Sequence, residues 1–123
     1  YGKVKRFEIV IFTLPNGKTC VKRIIGLPGD MISYKDDTLY VNGKAVDEPF
    51  LDDVKRQYNT YTSDFSLNEL IGKKRVPKNQ YFVLGDNRRI SKDSRTIGTI
   101  KSEWISGRVL LNYWPITSFK LFN

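Results

Sequence analysis

Residues 19–27 have the sequence TCVKRIIGL, an apolar and β-branched run that contains two adjacent cations. Residues of this kind favour β-strands, and the Pro-Gly-Asp at 28–30 is typical of a turn that ends one. Side chains alternate across a strand, so Lys22 and Arg23 point to opposite faces. Two neighbouring cations on a mostly apolar strand cannot both be buried comfortably. One of them is therefore paired, exposed or functional.

Lys22 is of chemical interest if it is the buried cation. Burial disfavours the ammonium form, so a buried lysine loses its proton more readily than one in water. A neutral amine accepts a proton from a nearby hydroxyl and thereby acts as a general base. The alternative is an edge-strand lysine in water, which is the commoner situation for any one lysine. The strand pattern alone leaves both interpretations open.

Most other segments of the chain also predict strands, and turn residues separate them. Asn42-Gly43 is typical of a type I′ hairpin turn. The remaining predicted strands are 6–14, 31–34, 38–41, 80–84 and 107–114.

Little helix is predicted. Ser66 and Glu69 have the spacing of a capping box, and Gly72 is suited to ending a short helix that starts there. Residues 102–104 are predicted to form one helical turn, residues 47–63 an irregular polar connection, and residues 85–98 a long loop. The whole pattern predicts a single mainly β domain over residues 1–123, an antiparallel barrel or sandwich with little helix.

The composition excludes several classes of site. The chain has 123 residues, no histidine and one cysteine. Without histidine there is no Ser–His or Cys–His nucleophile pair and no His-ligated metal. One cysteine allows no internal disulfide and no cysteine-rich zinc site. The longest apolar runs are far shorter than the ~20 residues that span a bilayer.

The formal net charge is +8, and it is unevenly distributed. Residues 71–123 contain eleven basic and three acidic residues. A basic end of this kind faces nucleic acid, an anionic membrane surface or simply water. A nucleic-acid-binding β barrel is therefore a remote alternative, and it predicts salt-sensitive binding to single strands.

Two longer motifs carry a family resemblance. Residues 21–30, VKRIIGLPGD, resemble the lysine-bearing box of bacterial type I signal peptidases. Residues 85–98, GDNRRISKDSRTIG, resemble the Gly-Asp-Asn-Arg…Ser-x-Asp-Ser-Arg…Gly box of the same family, in the same order. A weaker match is residues 6–12, RFEIVIF, where Phe7 and Glu8 depart from the family's Arg-Gly-Asp. About 55 residues separate the two strong boxes, which is similar to the compact Gram-positive type.

The resemblance implies a membrane-bound serine endopeptidase with a Ser–Lys dyad and no metal or cofactor. Such enzymes cleave signal peptides from exported preproteins at the outer face of the bacterial plasma membrane. The site residues that it implies are Lys22 as general base, Ser91 as the hydroxyl that orients Lys22, Asp93 and Arg95 as a supporting charged pair, and Asp86 and Arg88 in the same supporting loop.

The resemblance also implies how substrate binds. The peptide is expected to lie extended beside the strand that carries Lys22, by strand addition. Cys20 and Val21 are then expected to line shallow pockets for small side chains, with Ile11 behind them. Core packing is the alternative for Ile11 and Val21, and Cys20 is expected to be a small buried apolar residue.

The family's nucleophilic serine stands in a Ser-Met-x-Pro-Thr-like segment that follows a membrane-spanning helix, and no such segment occurs in residues 1–123. We expect an N-terminally truncated piece whose anchor and nucleophile lie upstream of Tyr1, and which does not hydrolyse peptides by itself. The alternative is a non-catalytic homologue that acts in binding or assembly, such as pilus biogenesis. Contact with a membrane surface would involve exposed aromatic residues, for which the candidates are Trp104, Tyr113, Trp114, Phe119 and Phe122.

Overall fold

The computed structural model of the chain describes residues 4–109. Within that range there are nine strands, three short α-helices and two 3₁₀ turns. The strands are β1 (Ile9–Thr13), β2 (Thr19–Gly26), β3 (Ile32–Lys35), β4 (Thr38–Val41), β5 (Lys44–Val46), β6 (Phe65–Ser66), β7 (Gln80–Leu84), β8 (Ile100–Lys101) and β9 (Ile105–Val109). The helices are α1 (Asp52–Lys55), α2 (Leu67–Ile71) and α3 (Ser94–Ile97), and the 3₁₀ turns are Pro49–Leu51 and Ser102–Trp104.

The strands form two antiparallel sheets. The larger has the order β8-β7-β2-β1-β9, and the smaller has the order β5-β4-β3-β6. The predicted mainly β, antiparallel class is therefore confirmed. β2, which carries Lys22, lies in the middle of the larger sheet between β1 and β7.

Short turns with left-handed backbone close the hairpins of the smaller sheet. Asn42 and Gly43, between β4 and β5, have φ angles of 53° and 83°, as the type I′ prediction requires. Asp36 and Asp37, between β3 and β4, have φ angles of 51° and 64°. The two hairpins thus form over short stretches of chain.

The predicted helix after Ser66 is also confirmed. Ser66 accepts a hydrogen bond from the backbone N–H of Glu69, and the Glu69 side chain accepts one from the backbone N–H of Ser66. Gly72 ends α2 in the left-handed conformation, with φ of 72°.

Several predicted elements differ from the structure. The first strand begins at Ile9 rather than at residue 6, because Phe7 adopts a φ of 73° that an extended strand does not allow. Residues 47–63 contain α1 and a 3₁₀ turn, and the predicted loop 85–98 contains α3. The last strand starts at Ile105, and its predicted part at 110–114 lies outside the described residues, as do Tyr113, Trp114, Phe119 and Phe122.

Two main hydrophobic clusters lie on opposite faces of the larger sheet. Alternation along β7 sends Phe82 and Leu84 to one face and Tyr81 and Val83 to the other. The first face packs against the smaller sheet, where Tyr34, Leu39 and Val41 are buried with Phe82 and Leu84. The second face buries Val10, Phe12, Cys20, Ile24 and Ile105. Within residues 4–109, no helix is long and apolar enough to cross a membrane.

Candidate active site

Lys22 is buried in the centre of the larger sheet. Its backbone pairs with Val10 of β1, and only 3% of the residue is exposed. Its Nζ donates a hydrogen bond to Ser91 Oγ at 3.0 Å. Desolvation lowers the pKa of Lys22 below its ordinary value, and this effect outweighs the nearby charge of Asp93, which raises it. We call Lys22 and Ser91 the lysine–serine pair.

Arg23, the neighbouring cation, is buried as well and pairs with a carboxylate. Its Nε and Nη2 donate to the two carboxylate oxygens of Asp86 at 2.9 and 2.8 Å. Its Nη1 donates to the carbonyl oxygen of Phe7 at 2.9 Å, and its guanidinium lies 4.0 Å from the ring centroid of Phe50. The two adjacent cations therefore lie in different environments. Both cations are buried, but Arg23 faces the carboxylate of Asp86, whereas Lys22 faces the hydroxyl of Ser91 and has a lowered pKa.

The Arg23–Asp86 pair is expected to be a major contributor to stability. The substitution Asp86→Ala removes the carboxylate from a guanidinium whose side chain is fully buried. Breaking a buried pair in this way costs about 3–5 kcal/mol, which urea denaturation of the 123-residue chain would measure. The matched control is Asp53→Ala. Its pair with Arg56 is largely exposed and is expected to contribute less than about 0.5 kcal/mol. Equal losses from the two substitutions would contradict this expectation.

Ser91 reaches Lys22 because Gly85 has no side chain. A Cβ atom at position 85 would lie 1.9 Å from Ser91 Oγ and 3.4 Å from Lys22 Nζ. The backbone N–H of Ser91 donates to the carbonyl oxygen of Asn87 at 3.0 Å, which folds the 85–91 turn back on itself. The turn therefore places the hydroxyl directly over the glycine and against the amine.

Asp93 and Arg95 form the charged pair that the sequence motif predicts. Arg95 Nε and Nη2 donate to the two Asp93 oxygens at 2.9 and 2.8 Å. Asp93, which is fully buried, also accepts the backbone N–H of Gly85 at 3.0 Å. Arg95 Nη1 donates to the carbonyl oxygen of Arg88 at 2.9 Å. The pair thus anchors the start of the 85–91 turn at Gly85 and its middle at Arg88.

Arg88 is the centre of a buried polar cluster that joins the 85–91 turn to the smaller sheet. We call Arg88, Glu48, Tyr34 and Thr62 the arginine cluster. Arg88 Nη2 donates to Glu48 Oε2 at 2.8 Å, and Nη1 donates to Tyr34 Oη at 3.2 Å and to Thr62 Oγ1 at 3.3 Å. Tyr34 Oη donates to the same Glu48 oxygen at 2.8 Å. All four residues are buried.

Sequence reasoning missed Glu48, Tyr34 and Thr62. Glu48 and Thr62 lie in the stretch 47–63, which has no periodicity. A buried arginine needs an acidic partner, but residues 31–70 contain eight acidic residues and nothing in the sequence distinguishes one of them. Tyr34 alternates with other strand residues and is indistinguishable there from an ordinary core tyrosine.

The three residues expected to contact substrate lie in two different hydrophobic clusters. Val21 and Ile11 pair across β2 and β1 and pack in one small cluster with Ile9. Cys20 lies in the other cluster with Val10 and is 6% exposed. Trp104 is half-buried and packs against that same cluster. Among residues 4–109, no three His, Cys, Asp or Glu side chains are grouped in a way that could hold a metal ion.

Comparison with known proteins gives one consistent result. The family described as signal peptidase, peptidase S26, matches residues 1–114. Signal peptidase I of Bacillus caldolyticus is 50% identical over 120 residues, which cover 96% of this chain and 66% of that protein. Signal peptidase IB of Staphylococcus aureus is 42% identical over 125 residues, which cover 97% of this chain and 65% of that protein. The chain thus spans slightly less than two thirds of the length of these curated relatives.

A solved structure supports the same relationship. The crystal structure of a signal peptidase I from Enterococcus faecalis V583 superposes with a TM-score of 0.83 at 43% sequence identity. The superposition covers 87% of this chain and 97% of that chain. The two-sheet fold described above is therefore the fold of that protein.

Proposed function

This chain belongs to the peptidase S26 family of signal peptidases, and on that premise we propose that the protein is a type I signal peptidase of the Gram-positive kind. Such a protein is a serine endopeptidase that removes signal peptides from exported preproteins. The observation that carries the proposal is the lysine–serine pair, a desolvated amine held 3.0 Å from a hydroxyl. A protein that only binds a partner has no need of such an amine, so nothing favours the non-catalytic or nucleic-acid-binding alternatives.

Lys22 is proposed to act as the general base. Its neutral amine takes the proton from a serine hydroxyl as that oxygen attacks the carbonyl carbon of the scissile bond. The resulting ammonium then gives the proton to the leaving amine as the C–N bond breaks and an ester to the serine remains. A water molecule attacks the ester in the same way. Lys22 takes a proton from the water and gives it to the serine oxygen as the ester C–O bond breaks, and the carboxylic acid that is released loses its own proton to solvent. Protons balance over the cycle.

Ser91 is proposed to hold Lys22 in position rather than to attack the substrate. Its hydroxyl is packed over Gly85 and hydrogen-bonded to the amine, so it is suited to fixing the direction of the amine without adding charge to it. The nucleophile is then a serine outside residues 1–123. On this proposal the 123-residue chain by itself does not hydrolyse peptides.

The proposed substrate is an extended signal peptide that adds to the part of the β2 edge that no described strand pairs with. β7 pairs with β2 only from Arg23 onward, because β7 ends at Leu84. Cys20 and Val21 therefore have β1 on one side and no described strand on the other. An extended peptide placed there would run past Lys22 and Ser91 with its backbone free to pair. Val21 and Ile11 would then line its side-chain pockets, whereas Cys20, on the opposite face, would contribute only its backbone.

The proposed location is the outer face of the plasma membrane, with an N-terminal transmembrane anchor outside these residues. Signal peptides are presented at that surface, which supports the assignment. The basic excess of residues 71–123 would favour contact with anionic headgroups, at about 1 kcal/mol for each nearby cation.

The test is the pH dependence of preprotein cleavage by the protein with its nucleophile segment present. Because only the neutral amine is a base and desolvation lowers the pKa of Lys22, kcat/KM is expected to rise with pH and to level off below the ordinary lysine value of 10.5. Ser91→Ala is expected to lower kcat/KM by about 10²-fold and to move the rise to higher pH, since it frees the amine and admits water.

Two results would refute the proposal. One is a cleavage rate that does not change with pH across this range, and the other is a Ser91→Ala profile that is identical to the wild-type profile. The 123-residue chain alone serves as the blank, and cleavage by it would refute the proposed position of the nucleophile.

A further inference from the structure

Glu48 carries a buried negative charge whose function is not explained by packing. It lies between β5 and the 3₁₀ turn at Pro49–Leu51, and only 2% of its side chain is exposed. One of its oxygens, Oε2, accepts from both Tyr34 Oη and Arg88 Nη2, each at 2.8 Å. Burial raises the pKa of Tyr34 well above its ordinary value, so the phenol stays protonated and donates. Glu48 thus holds Tyr34, which belongs to the smaller sheet, and Arg88, which belongs to the 85–91 turn.

Arg88 transmits this constraint to the 85–91 turn. Its Nε donates to the carbonyl oxygen of Gly85 at 2.8 Å, while its other nitrogens are held by the arginine cluster. A guanidinium is planar and its donors have fixed directions. The position of the Gly85 carbonyl therefore depends on the position of the Arg88 head group, and that position depends on Glu48.

The lysine–serine pair packs against Gly85. Ser91 Oγ and Lys22 Nζ both lie within 3.4 Å of the point where a Cβ of residue 85 would be. A displacement of Gly85 by a fraction of an ångström therefore changes the distance between the amine and the hydroxyl. It also changes how well water is kept from the amine.

We propose that Glu48 is a positioning residue for the lysine–serine pair and that it acts through Arg88, with Tyr34 as its auxiliary. This inference rests on the proposed function for its effect on catalysis, but its effect on the amine is independent of that function. Glu48 does not touch the pair, and the charges that act most on Lys22 belong to Asp93, Cys20, Lys18 and Arg95. Its influence is therefore geometric.

The experiment compares Glu48→Gln and Tyr34→Phe with the wild type in two assays. The first measures the pH dependence of Lys22 acetylation in the 123-residue chain, by competitive labelling and mass spectrometry. Both variants are expected to move the titration of Lys22 to higher pH, because a loosened turn admits water to the amine. Tyr34→Phe changes no charge, so the same direction in both variants separates a geometric cause from an electrostatic one.

The second assay measures kcat and KM for preprotein cleavage in the protein with its nucleophile segment. Each variant is expected to lose about 10-fold to 10²-fold in kcat with little change in KM, because a small misplacement of a catalytic group acts on the chemical step. The control for lost stability is Val76→Ala. Val76 is buried in the same hydrophobic cluster as Tyr34 but lies outside the arginine cluster, and its substitution is expected to change neither the titration nor the kcat of the folded protein.

A double substitution, Glu48→Met with Arg88→Met, extends the comparison. Replacing both buried charges with apolar side chains restores much of the stability that single substitutions lose, but it does not restore the hold on the Gly85 carbonyl. Recovery of stability without recovery of the Lys22 titration would support positioning. Unchanged Lys22 titration in Glu48→Gln and Tyr34→Phe would overturn the inference, even if both proteins are less stable. Absence of Lys22-dependent cleavage in the wild type would instead count against the proposed function.

Discussion

Lys22→Met is expected to abolish preprotein cleavage and at the same time to stabilise the fold. Methionine keeps the length and packing of the side chain but has no amine, so kcat/KM is expected to fall by at least about 10⁴-fold. The free energy of unfolding at pH 7 is expected to increase by about 1 kcal/mol or more, since a desolvated ionisable group is replaced by an apolar one. Activity would be measured with a preprotein substrate on the protein that includes its nucleophile segment, and stability by urea denaturation of the 123-residue chain.

The stability gain has a pH signature that follows from the lowered pKa of Lys22. The unfolded chain binds the Lys22 proton up to the ordinary value of 10.5, whereas the folded chain releases it at lower pH. The wild type therefore gains stability as pH rises between these two values, and Lys22→Met does not. The stability difference between Lys22→Met and the wild type is expected to be greatest at the acid side of this pH window and to decrease as pH rises through it. A constant difference across the window would mean that Lys22 titrates normally in the folded protein.

Gly85→Ala is expected to lower kcat/KM by about 10²-fold or more while the protein remains folded. The added methyl would lie 1.9 Å from Ser91 Oγ and 2.5 Å from Ser91 Cβ, so Ser91 must move away from the amine. Loss of this contact misplaces the base, and misplacement of about 1 Å is enough for an effect of that size. The measurement is preprotein cleavage combined with circular dichroism to confirm the fold.

Gly107→Ala is the matched control for Gly85→Ala. Gly107 also lies in the larger sheet, and a methyl there would meet only Ile11 Cδ1 at 3.9 Å, which is an ordinary contact. Its effect on kcat/KM is expected to be less than about threefold, as for substitutions without a named steric or polar defect. If both glycine variants retained full activity, the close packing of Ser91 over Gly85 would have no role in catalysis.

Local signals explain which parts of the fold were predictable. The Asn42-Gly43 turn, the capping box from Ser66 to Glu69 and the strand β7 are specified by residues close together in sequence, and all three occur as predicted. α3 was not predicted. Its N-terminus is fixed by Asp93, which accepts the N–H of Arg95, and the same side chain accepts from Gly85 in the adjoining strand region. A helix of four residues depends on such tertiary contacts rather than on propensity.

In the candidate site too, some features could be predicted from the sequence and others depend on tertiary contacts. The structure brings Lys22 within 3.0 Å of Ser91 and pairs Asp93 with Arg95, and the roles that the resemblance implies for these residues stay predictions. Which of the two buried cations faces a carboxylate depended on Asp86, which is 63 residues away in sequence from Arg23. The role of Glu48 could not be predicted, because only the folded structure brings its carboxylate to Arg88. Buried partners that come from irregular segments have no periodic signal in the sequence.

The strand order of the larger sheet determines the order in which the two sheets are expected to fold. The hairpins of the smaller sheet close over two-residue turns, whereas β1 must find β9 near the far end of the described chain, with side chains of Glu8 and Arg108 meeting across 100 residues. Closing so long a loop is slow in comparison with closing a hairpin. We therefore expect the smaller sheet to form early, during synthesis. On the proposed function, the amine of Lys22 loses contact with water only after Ser91, 69 residues away in sequence, has packed against it. We therefore expect an incompletely folded chain to carry an ordinary, charged lysine and to have no proteolytic activity.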